Sequence, residues 1–372
     1  MEAPSILQQM VSPWYDGLKD PEDSQERVLK TLVEGYSRTD YGRIHRASIV
    51  DGIDSYRTCF PVTDYHGLLP YIKRVGDGEF SALLPEPIKL WVMTRGSTGA
   101  SKVLPATETH LAQILEMGAR CVVNFAIKKN PEVLETPVLN LNFPSEVNEL
   151  MTPAGRQVYG YSSGTYAKTF PSLHGARLVP DQREIDALGG GITRKDWEKR
   201  FELAYTRAKD EDIGSLMGVT PVMTAFSSYL KRKHGVRPRE IWKPRALFCT
   251  SVAKIHTRYE RELRYQYGPS PVVEMYTATE GVFAQQLDDF PYVSPNYDGY
   301  LFEVVTGERV KMLHELKPNE WGRLVVSTTT LPRYEIGDLV EALGKGYFRV
   351  FGRDKVFTRA EHVLFNILSL RL

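Results

Sequence analysis

Short apolar runs alternate with helical segments along most of this 372-residue chain. The apolar runs are bounded by Pro, Gly or Asn, as strands often are, and they cover residues 137–143, 245–250, 272–276 and 323–328. Segments with helical periodicity lie between several of them, at 195–209, 221–234 and 252–266. This alternation predicts α/β layers built on a largely parallel sheet. The length leaves room for a substantial core, in two domains or one large one.

Two longer helices and a hairpin are predicted around this pattern. A helix is expected over residues 20–38, where Asp20 can cap the first turn. A second helix is expected from about Thr109 to Lys128. Near the C-terminus, Val340 to Phe351 is typical of a β-hairpin whose turn is Gly344-Lys345-Gly346.

The charge and cysteine content favour a cytoplasmic enzyme. The net charge of +1 gives no reason to expect a nucleic-acid or acidic-membrane partner. Cys59, Cys121 and Cys249 are odd in number and far apart, so a reducing compartment fits better than a disulfide framework. No apolar run approaches the roughly 18–20 residues that cross a bilayer, and the N-terminus has no signal pattern. We expect a cytoplasmic protein, with a monomer favoured.

The stretch Thr94–Lys102 is the first candidate functional motif. It combines two glycines, several hydroxyl side chains and a lysine, directly after the apolar run Leu90–Met93. Glycines let the backbone fold closely around an anion, and the hydroxyl and N–H groups can donate to phosphate oxygens. The stretch therefore predicts a phosphate-binding loop.

Two further motifs follow this loop at wide spacing, Tyr276–Gly281 and Tyr334–Asp338. Glu280 can hold Mg²⁺, which prefers one or two carboxylates plus phosphate oxygens. Asp338 can accept hydrogen bonds from two ribose hydroxyls, and Tyr276 has a flat face suited to adenine. Together they point to ATP-dependent activation of a carboxylic acid, in which joining the acid to the α-phosphate makes a mixed anhydride.

These three motifs resemble the core signatures of the acyl-adenylate-forming superfamily, which includes acyl-CoA ligases, adenylation domains and luciferase. More narrowly, the chain resembles the Gretchen-Hagen family of acyl-acid amido synthetases. The stretches Phe60–Tyr65 and Leu69–Gly78 support this, because a similar passage precedes the phosphate loop in that family. The likeness runs from about residue 20 to about residue 360.

The resemblance implies a large N-terminal adenylation domain over residues 1–352, with layered, mostly parallel sheets and a β-rich subdomain at about 295–352. Residues 353–372 would be the hinge and the start of a C-terminal domain. That mobile domain is expected to be absent, since the sequence ends 19 residues after Arg353.

The resemblance also implies a set of site residues. The catalytic group would be Thr94, Lys102, Glu280 and Arg353, with Glu280 as the Mg²⁺ ligand. The nucleotide-binding set would be Thr94, Arg95, Gly96, Ser97, Thr98, Gly99, Ser251, Val252, Ala253, Tyr276, Thr277, Thr279, Glu280, Asp338 and Arg353. Candidate residues for the acid pocket are Met217, Val219, Met223, Phe226 and Val252. Arg95 departs from the family, which usually has a small serine there, and its guanidinium would reach a phosphate or close the site against solvent.

The implied reaction uses ATP and Mg²⁺ to activate a hydrophobic or aromatic carboxylic acid, followed by transfer to an amine or amino acid. Coenzyme A is the alternative acceptor, because the same adenylate serves both. The sequence determines neither the acid nor the acceptor.

Three other classes of protein fit the sequence less well. A P-loop NTPase needs Gly directly before the lysine, but Ser101 precedes Lys102. Gly160-Tyr161-Ser162-Ser163-Gly164 spells a serine-hydrolase elbow, but the preceding residues are polar, and we expect a hairpin or loop there. The basic cluster 231–234 is more typical of a solvated helix end than of a non-catalytic binding module, because no aromatic residues are interleaved with it.

Overall fold

The computed structural model describes residues 5–95, 101–153, 155–173 and 176–369. Its helices are α1 Ile6–Lys19, α2 Pro21–Ser37, α3 Asp40–Ile44, α4 Ile53–Cys59, α5 Tyr65–Gly76, α6 Glu108–Lys128, α7 Ser162–Thr169, α8 Gln182–Asp186, α9 Arg194–Ala208, α10 Thr220–His234, α11 Pro238–Ile241, α12 Glu260–Tyr267 and α13 Val356–Ser369. Its strands are β1 Ile88–Met93, β2 Val103–Thr107, β3 Val138–Leu139, β4 Asn148–Thr152, β5 Gly155–Tyr161, β6 Ser172–Leu173, β7 Ala176–Val179, β8 Ser215–Val219, β9 Ala246–Thr250, β10 Val272–Ala278, β11 Gly281–Gln286, β12 Val293–Pro295, β13 Leu301–Thr306, β14 Arg309–Met312, β15 Trp321–Ser327, β16 Tyr334–Gly344 and β17 Tyr347–Arg353. A short π helix, Ile255–Tyr259, precedes α12.

The described strands form two sheets. The large sheet has thirteen strands in the order β14-β13-β15-β16-β17-β12-β11-β10-β9-β8-β3-β7-β6, and the small one has the order β2-β1-β5-β4. The α/β class and the layered sheets are as predicted.

The expectation of mostly parallel pairing holds only for one part of the large sheet. Strands β7, β3, β8, β9 and β10 pair in parallel, whereas β10 to β17 pair antiparallel. Parallel neighbours need long crossover connections, which α9, α10 and α12 contribute. Most strands of the second part are joined by short links, which require antiparallel pairing.

The central strand β9 is buried on both faces, which explains its uninterrupted apolar sequence. Leu247 and Cys249 pack in a cluster with residues of α9, α10 and α12. Phe248, of opposite parity, packs against residues of α6 such as Phe125. Helices therefore cover both faces of the parallel part.

The N-terminal helices close over the antiparallel part of the sheet. Trp14 of α1 is fully buried, and its indole N–H donates to the carbonyl of Pro295 at 3.0 Å. Gln25 of α2 donates to the carbonyls of Tyr297 and Tyr300 at 2.7 and 2.6 Å. These contacts join chain segments more than 270 positions apart into one core.

Strands β12 to β17 occupy the region where the β-rich subdomain is expected. They continue the large sheet without a break in its strand order. The domain boundaries therefore stay a prediction. Within the described part of the chain, helix length and apolarity nowhere reach what a membrane crossing requires.

Candidate active site

The neck of the predicted phosphate loop is closed by two hydrogen bonds. The Thr94 amide donates to the Lys102 carbonyl at 2.9 Å, and the Lys102 amide donates to the Thr94 hydroxyl oxygen at 2.9 Å. These bonds extend the β1–β2 hairpin by one pair, so Thr94 and Lys102 face each other at its end. Gly96, Ser97, Thr98 and Gly99, all predicted nucleotide contacts, lie outside the described residues.

Lys102 points from this neck towards the start of β16. Its ammonium group donates to the Tyr334 hydroxyl at 2.8 Å. It also lies 5.3 Å from the centre of the Tyr334 ring and 5.7 Å from that of Tyr65. Two aromatic faces therefore flank the lysine ammonium group, at distances that suit cation–π contacts.

Glu280 lies in the tight turn between β10 and β11 and is only 5% exposed. Burial raises the pKa of its carboxyl group, while the positive charges of Lys102 and Arg353 oppose that rise. Burial raises the pKa of Tyr334 above its usual range, and the negative charge of Glu280 contributes to that rise. Lys102, Tyr334 and Glu280 therefore form one electrostatically coupled group.

Asp338 is held from two sides on β16. Its Oδ2 accepts a hydrogen bond from the Tyr276 hydroxyl at 2.7 Å, and its Oδ1 accepts one from Arg353 Nη1 at 2.8 Å. Arg353 at the end of β17 also donates to the carbonyl of Ile336 at 3.1 Å. The positive φ of 86° at Gly337 suits glycine at the position before the aspartate.

The Tyr276 ring is mostly enclosed, at 9% exposure, between Phe283 and Phe348. Burial and the neighbouring Asp338 carboxylate raise the pKa of Tyr276 well above its usual range. In this arrangement its hydroxyl orients Asp338, while the expected stacking on adenine stays a prediction.

Helix α7 contacts the residue before Glu280. The Ser162 and Thr279 hydroxyls are 3.1 Å apart, and the Tyr166 hydroxyl donates to the Thr279 carbonyl at 3.0 Å. The expected hairpin is present as β4 and β5, but α7 follows it directly, so a loop there is wrong. Ser162 begins a helix as an elbow serine would, yet the hydroxyl that it faces belongs to a threonine, which is not a general base.

The loop after β9 carries the next predicted nucleotide contacts. Ser251 and Lys254 have positive φ values of 74° and 63°, so the chain turns sharply around Val252 and Ala253. The Ser251 carbonyl is 3.5 Å from Arg95 Nη2, and the hydroxyls of Thr250 and Thr277 share a short hydrogen bond. Two neighbouring parallel strands thus end side by side at the site.

The five predicted acid-pocket residues separate into two groups. Met223 and Phe226 are 1% and 0% exposed inside the core beneath α10, with Val252 packed against the same cluster. Val219 belongs instead to a small apolar cluster with Met93, Phe143, Tyr161 and Trp197, and Met217 lies partly exposed beside Phe248. The role of all five residues in an acid pocket stays a prediction.

Arg95 lies at the edge of this small cluster. Its guanidinium is 5.6 Å from the centre of the Phe143 ring. Sequence reasoning missed Phe143 and Tyr161, and it gave Tyr334 no role, although this tyrosine opens the motif that ends at Asp338. A cation beside an apolar cluster suits a ligand with an apolar body and an anionic head.

The fold is similar to those of two solved enzyme structures. The AtGH3.15 acyl acid amido synthetase in complex with 2,4-DB matches 95% of this chain and 72% of its own with a TM-score of 0.73 at 15% identity. An open conformation of 2-hydroxyisobutyryl-CoA ligase in complex with 2-HIB-AMP and CoA matches 88% of this chain and 73% of its own, with a TM-score of 0.61 at 14% identity.

The family resemblance is narrower than the fold. Residues 14–184 match the model of the GH3 family N-terminal domain, so this chain resembles the Gretchen-Hagen-type synthetases, as predicted. A jasmonoyl–L-amino acid synthetase of Nicotiana attenuata, JAR6, is 25% identical over 112 residues, which are 30% of this chain and 19% of that protein. A second one, JAR4, is 25% identical over 174 residues, 44% of this chain and 29% of its own. The matched stretches thus span less than a third of either relative.

Proposed function

We propose that this protein activates a hydrophobic or aromatic carboxylic acid with MgATP as an acyl-adenylate and then transfers the acyl group to an amine, such as that of an amino acid. The observation that carries the proposal is the convergence of three distant motifs. Lys102 donates a hydrogen bond to the Tyr334 hydroxyl at 2.8 Å, and the charge of Glu280 contributes to the raised pKa of Tyr334. Asp338 accepts hydrogen bonds from Tyr276 at 2.7 Å and from Arg353 at 2.8 Å.

In the first half-reaction a carboxylate oxygen attacks the α-phosphorus of ATP, and the bond to the bridging oxygen of pyrophosphate breaks. Negative charge accumulates on the phosphate oxygens, where Lys102 and Arg95 supply positive charge. Asp338 would hold the ribose hydroxyls. In the second half-reaction the amine attacks the acyl carbon, AMP leaves and the amine loses a proton.

Magnesium fits the residues present at the site. Among the residues that the structure describes, no group of three His, Cys, Asp or Glu side chains could hold a metal ion. Glu280 would therefore be the protein carboxylate that accompanies phosphate oxygens and water, the arrangement that Mg²⁺ favours. The ion would offset phosphate charge as pyrophosphate leaves.

Coenzyme A is the alternative acceptor, favoured by the fold likeness to CoA ligases. Mass analysis of products made with amino acids or with coenzyme A separates an amide from a thioester.

The three free thiols support a reducing, cytoplasmic location.

A pyrophosphate-release screen across carboxylic acids tests the proposal. We expect Glu280→Gln and Asp338→Ala each to lower acid-dependent release at least about tenfold, or about 1.4 kcal/mol of barrier. Asp289→Ala, an 85% exposed carboxylate paired with Lys129, is the matched control and should keep the wild-type rate. Wild-type rates in both site variants would contradict the assignment.

A further inference from the structure

Arg333 immediately precedes Tyr334 and has a left-handed backbone, with φ at 45°. A long side chain is disfavoured there, so the surrounding contacts must hold the conformation. Glycine tolerates this region of backbone conformation best, but the residue at this position is an arginine.

The Arg333 guanidinium is buried, and each of its three nitrogens donates at least one hydrogen bond. Its Nε and Nη2 donate to the two oxygens of Glu303 at 2.9 and 3.1 Å. Its Nη1 donates to the carbonyls of Phe60 and Arg57 at 2.7 and 3.1 Å. Arg333 is 5% exposed and Glu303 only 1%. A bidentate pair of this kind restricts the arginine to one geometry.

The backbone of Arg333 is tied as firmly as its side chain. Its amide donates to the Ser327 hydroxyl at 3.2 Å, and its carbonyl accepts from the Thr63 amide at 3.1 Å. The Glu335 amide donates back to the Thr63 carbonyl at 2.7 Å. These bonds form a parallel bridge between Thr63 and Tyr334, which gives the Phe60–Tyr65 stretch a structural purpose.

Tyr334 is the residue that this framework places. It is fully buried, and its hydroxyl accepts a hydrogen bond from Lys102 and interacts with Glu280. The hydroxyl is therefore the group that fixes the ammonium end of the loop lysine, near the carboxylate that influences its pKa.

We propose that the buried Glu303–Arg333 pair is a positioning device, which holds the left-handed turn at Arg333 and thereby sets the Tyr334 hydroxyl against the ammonium group of Lys102. Glu303, Arg333 and Tyr334 are thus positioning residues for MgATP. The expected effect of the pair on turnover rests on the proposed function. Its expected effect on MgATP binding rests on the site geometry.

A double-mutant cycle tests the device, with MgATP affinity by calorimetry and acid-dependent pyrophosphate release as two readouts. Tyr334→Phe should lower both the MgATP affinity and the rate of pyrophosphate release about tenfold, because it removes the hydroxyl that Lys102 contacts. Glu303→Gln should weaken them about three- to tenfold in the wild-type background and have no further effect in the Tyr334→Phe background, because both changes act through the same hydroxyl. Arg333→Gly should retain more MgATP affinity than Arg333→Ala, since glycine adopts positive φ without being held there.

Glu341→Gln is the matched control. Glu341 is an equally buried carboxylate of β16, 1% exposed and paired with Arg349 at 2.5 Å. Glu341→Gln should lower the free energy of unfolding much as Glu303→Gln does, but it should leave Tyr334 in place. The effects of Glu341→Gln on MgATP affinity should therefore add to those of Tyr334→Phe.

The outcomes separate the two proposals. The positioning role would be overturned if Glu303→Gln and Tyr334→Phe had additive effects on MgATP affinity, or if Glu303→Gln had no effect. Pyrophosphate release by the wild-type protein would still support the proposed function in either case. A wild-type protein that binds MgATP but releases no pyrophosphate with any acid would overturn the proposed function, and the affinity cycle would still decide the positioning role. A wild-type protein that does not bind MgATP would overturn both.

Discussion

At the scale of single residues, the Asp338 carboxylate shows how one group can be oriented and still bind a ligand. Tyr276 and Arg353 each donate one hydrogen bond to it, one per oxygen. An ionised carboxylate offers about four acceptor positions, so two remain for ribose hydroxyls. The two donors therefore fix the plane of the carboxylate without exhausting its capacity.

Tyr276→Phe tests this division of roles. The ring and its packing against Phe283 and Phe348 remain, while Asp338 loses the donor to Oδ2. We expect the KM for ATP to rise about tenfold or more, since one hydrogen bond to a charged group contributes about 1.5 kcal/mol or more and about 1.4 kcal/mol is a factor of ten, with a smaller change in kcat. An unchanged KM for ATP would show that Arg353 alone orients Asp338.

A second residue-scale expectation concerns Glu274, two positions before Tyr276 on β10. Burial raises the pKa of Glu274 to about 8 from its ordinary value of 4.5. Between these values the folded protein holds more protons than the unfolded chain, so the free energy of unfolding falls as pH rises through that window. The slope approaches about 1.4 kcal/mol per pH unit for one proton.

Urea denaturation at several pH values measures this slope. Glu274→Gln should flatten it, because glutamine does not titrate, whereas Glu308→Gln at an exposed position should retain it. A Glu274→Gln variant with the wild-type slope would assign the dependence to other groups.

The residues of the site were predictable where the sequence names their chemistry. Glu280 and Asp338 were predicted because a carboxylate within a motif suggests a ligand; the structure brings both close to Arg353, and their roles stay predictions. Tyr334 gained no role, because its contact with Lys102 joins positions 232 residues apart. The same limit applies to Phe143 and Tyr161, whose apolar side chains look like any core residue until they meet beside Arg95.

At the scale of elements, boundaries were predicted best where capping residues define them. The helix expected at 20–38 is α2, and the hairpin expected at 340–351 is β16 and β17. The strand expected at 137–143 is only Val138–Leu139, because the Asn140 side chain accepts from the Asn142 amide at 3.0 Å and turns the chain. The helix expected at 252–266 begins only after left-handed Lys254, as the π helix Ile255–Tyr259, and continues as α12.

The cap of α2 provides a test of element stability. Asp20 Oδ1 accepts a hydrogen bond from the Asp23 amide at 3.2 Å. Asp20→Ala should lower the free energy of unfolding by about 1 kcal/mol, the usual value for a lost N-cap. Asp20→Asn keeps an acceptor oxygen and should lose less. Equal losses in urea denaturation would assign the effect to charge rather than to the cap.

At the scale of the whole molecule, the site lies where the two parts of the large sheet meet. The loop after β9 and the end of β10 belong to the parallel part, whereas Asp338 and Arg353 belong to the antiparallel part. The sequence predicted the parallel part from its alternating elements. It could not predict that antiparallel strands would extend the same sheet, because the pairing of β10 with β11 depends on a tight turn at Thr279–Glu280.

A nucleotide bound at this junction should therefore stabilise both parts together. A ligand that binds only the folded state contributes about 2.7 kcal/mol at one hundred times its Kd, and hydrogen exchange reports where that stabilisation appears. We expect MgATP to slow amide exchange in residues 246–250 and 347–353 alike, and Asp338→Ala to reduce the effect in both segments at the same MgATP concentration. Because Asp338 lies in the antiparallel part, loss of protection at 246–250 in this variant would require a ligand that contacts both parts. Protection confined to one segment in the wild-type protein would mean that the nucleotide contacts only that part of the sheet.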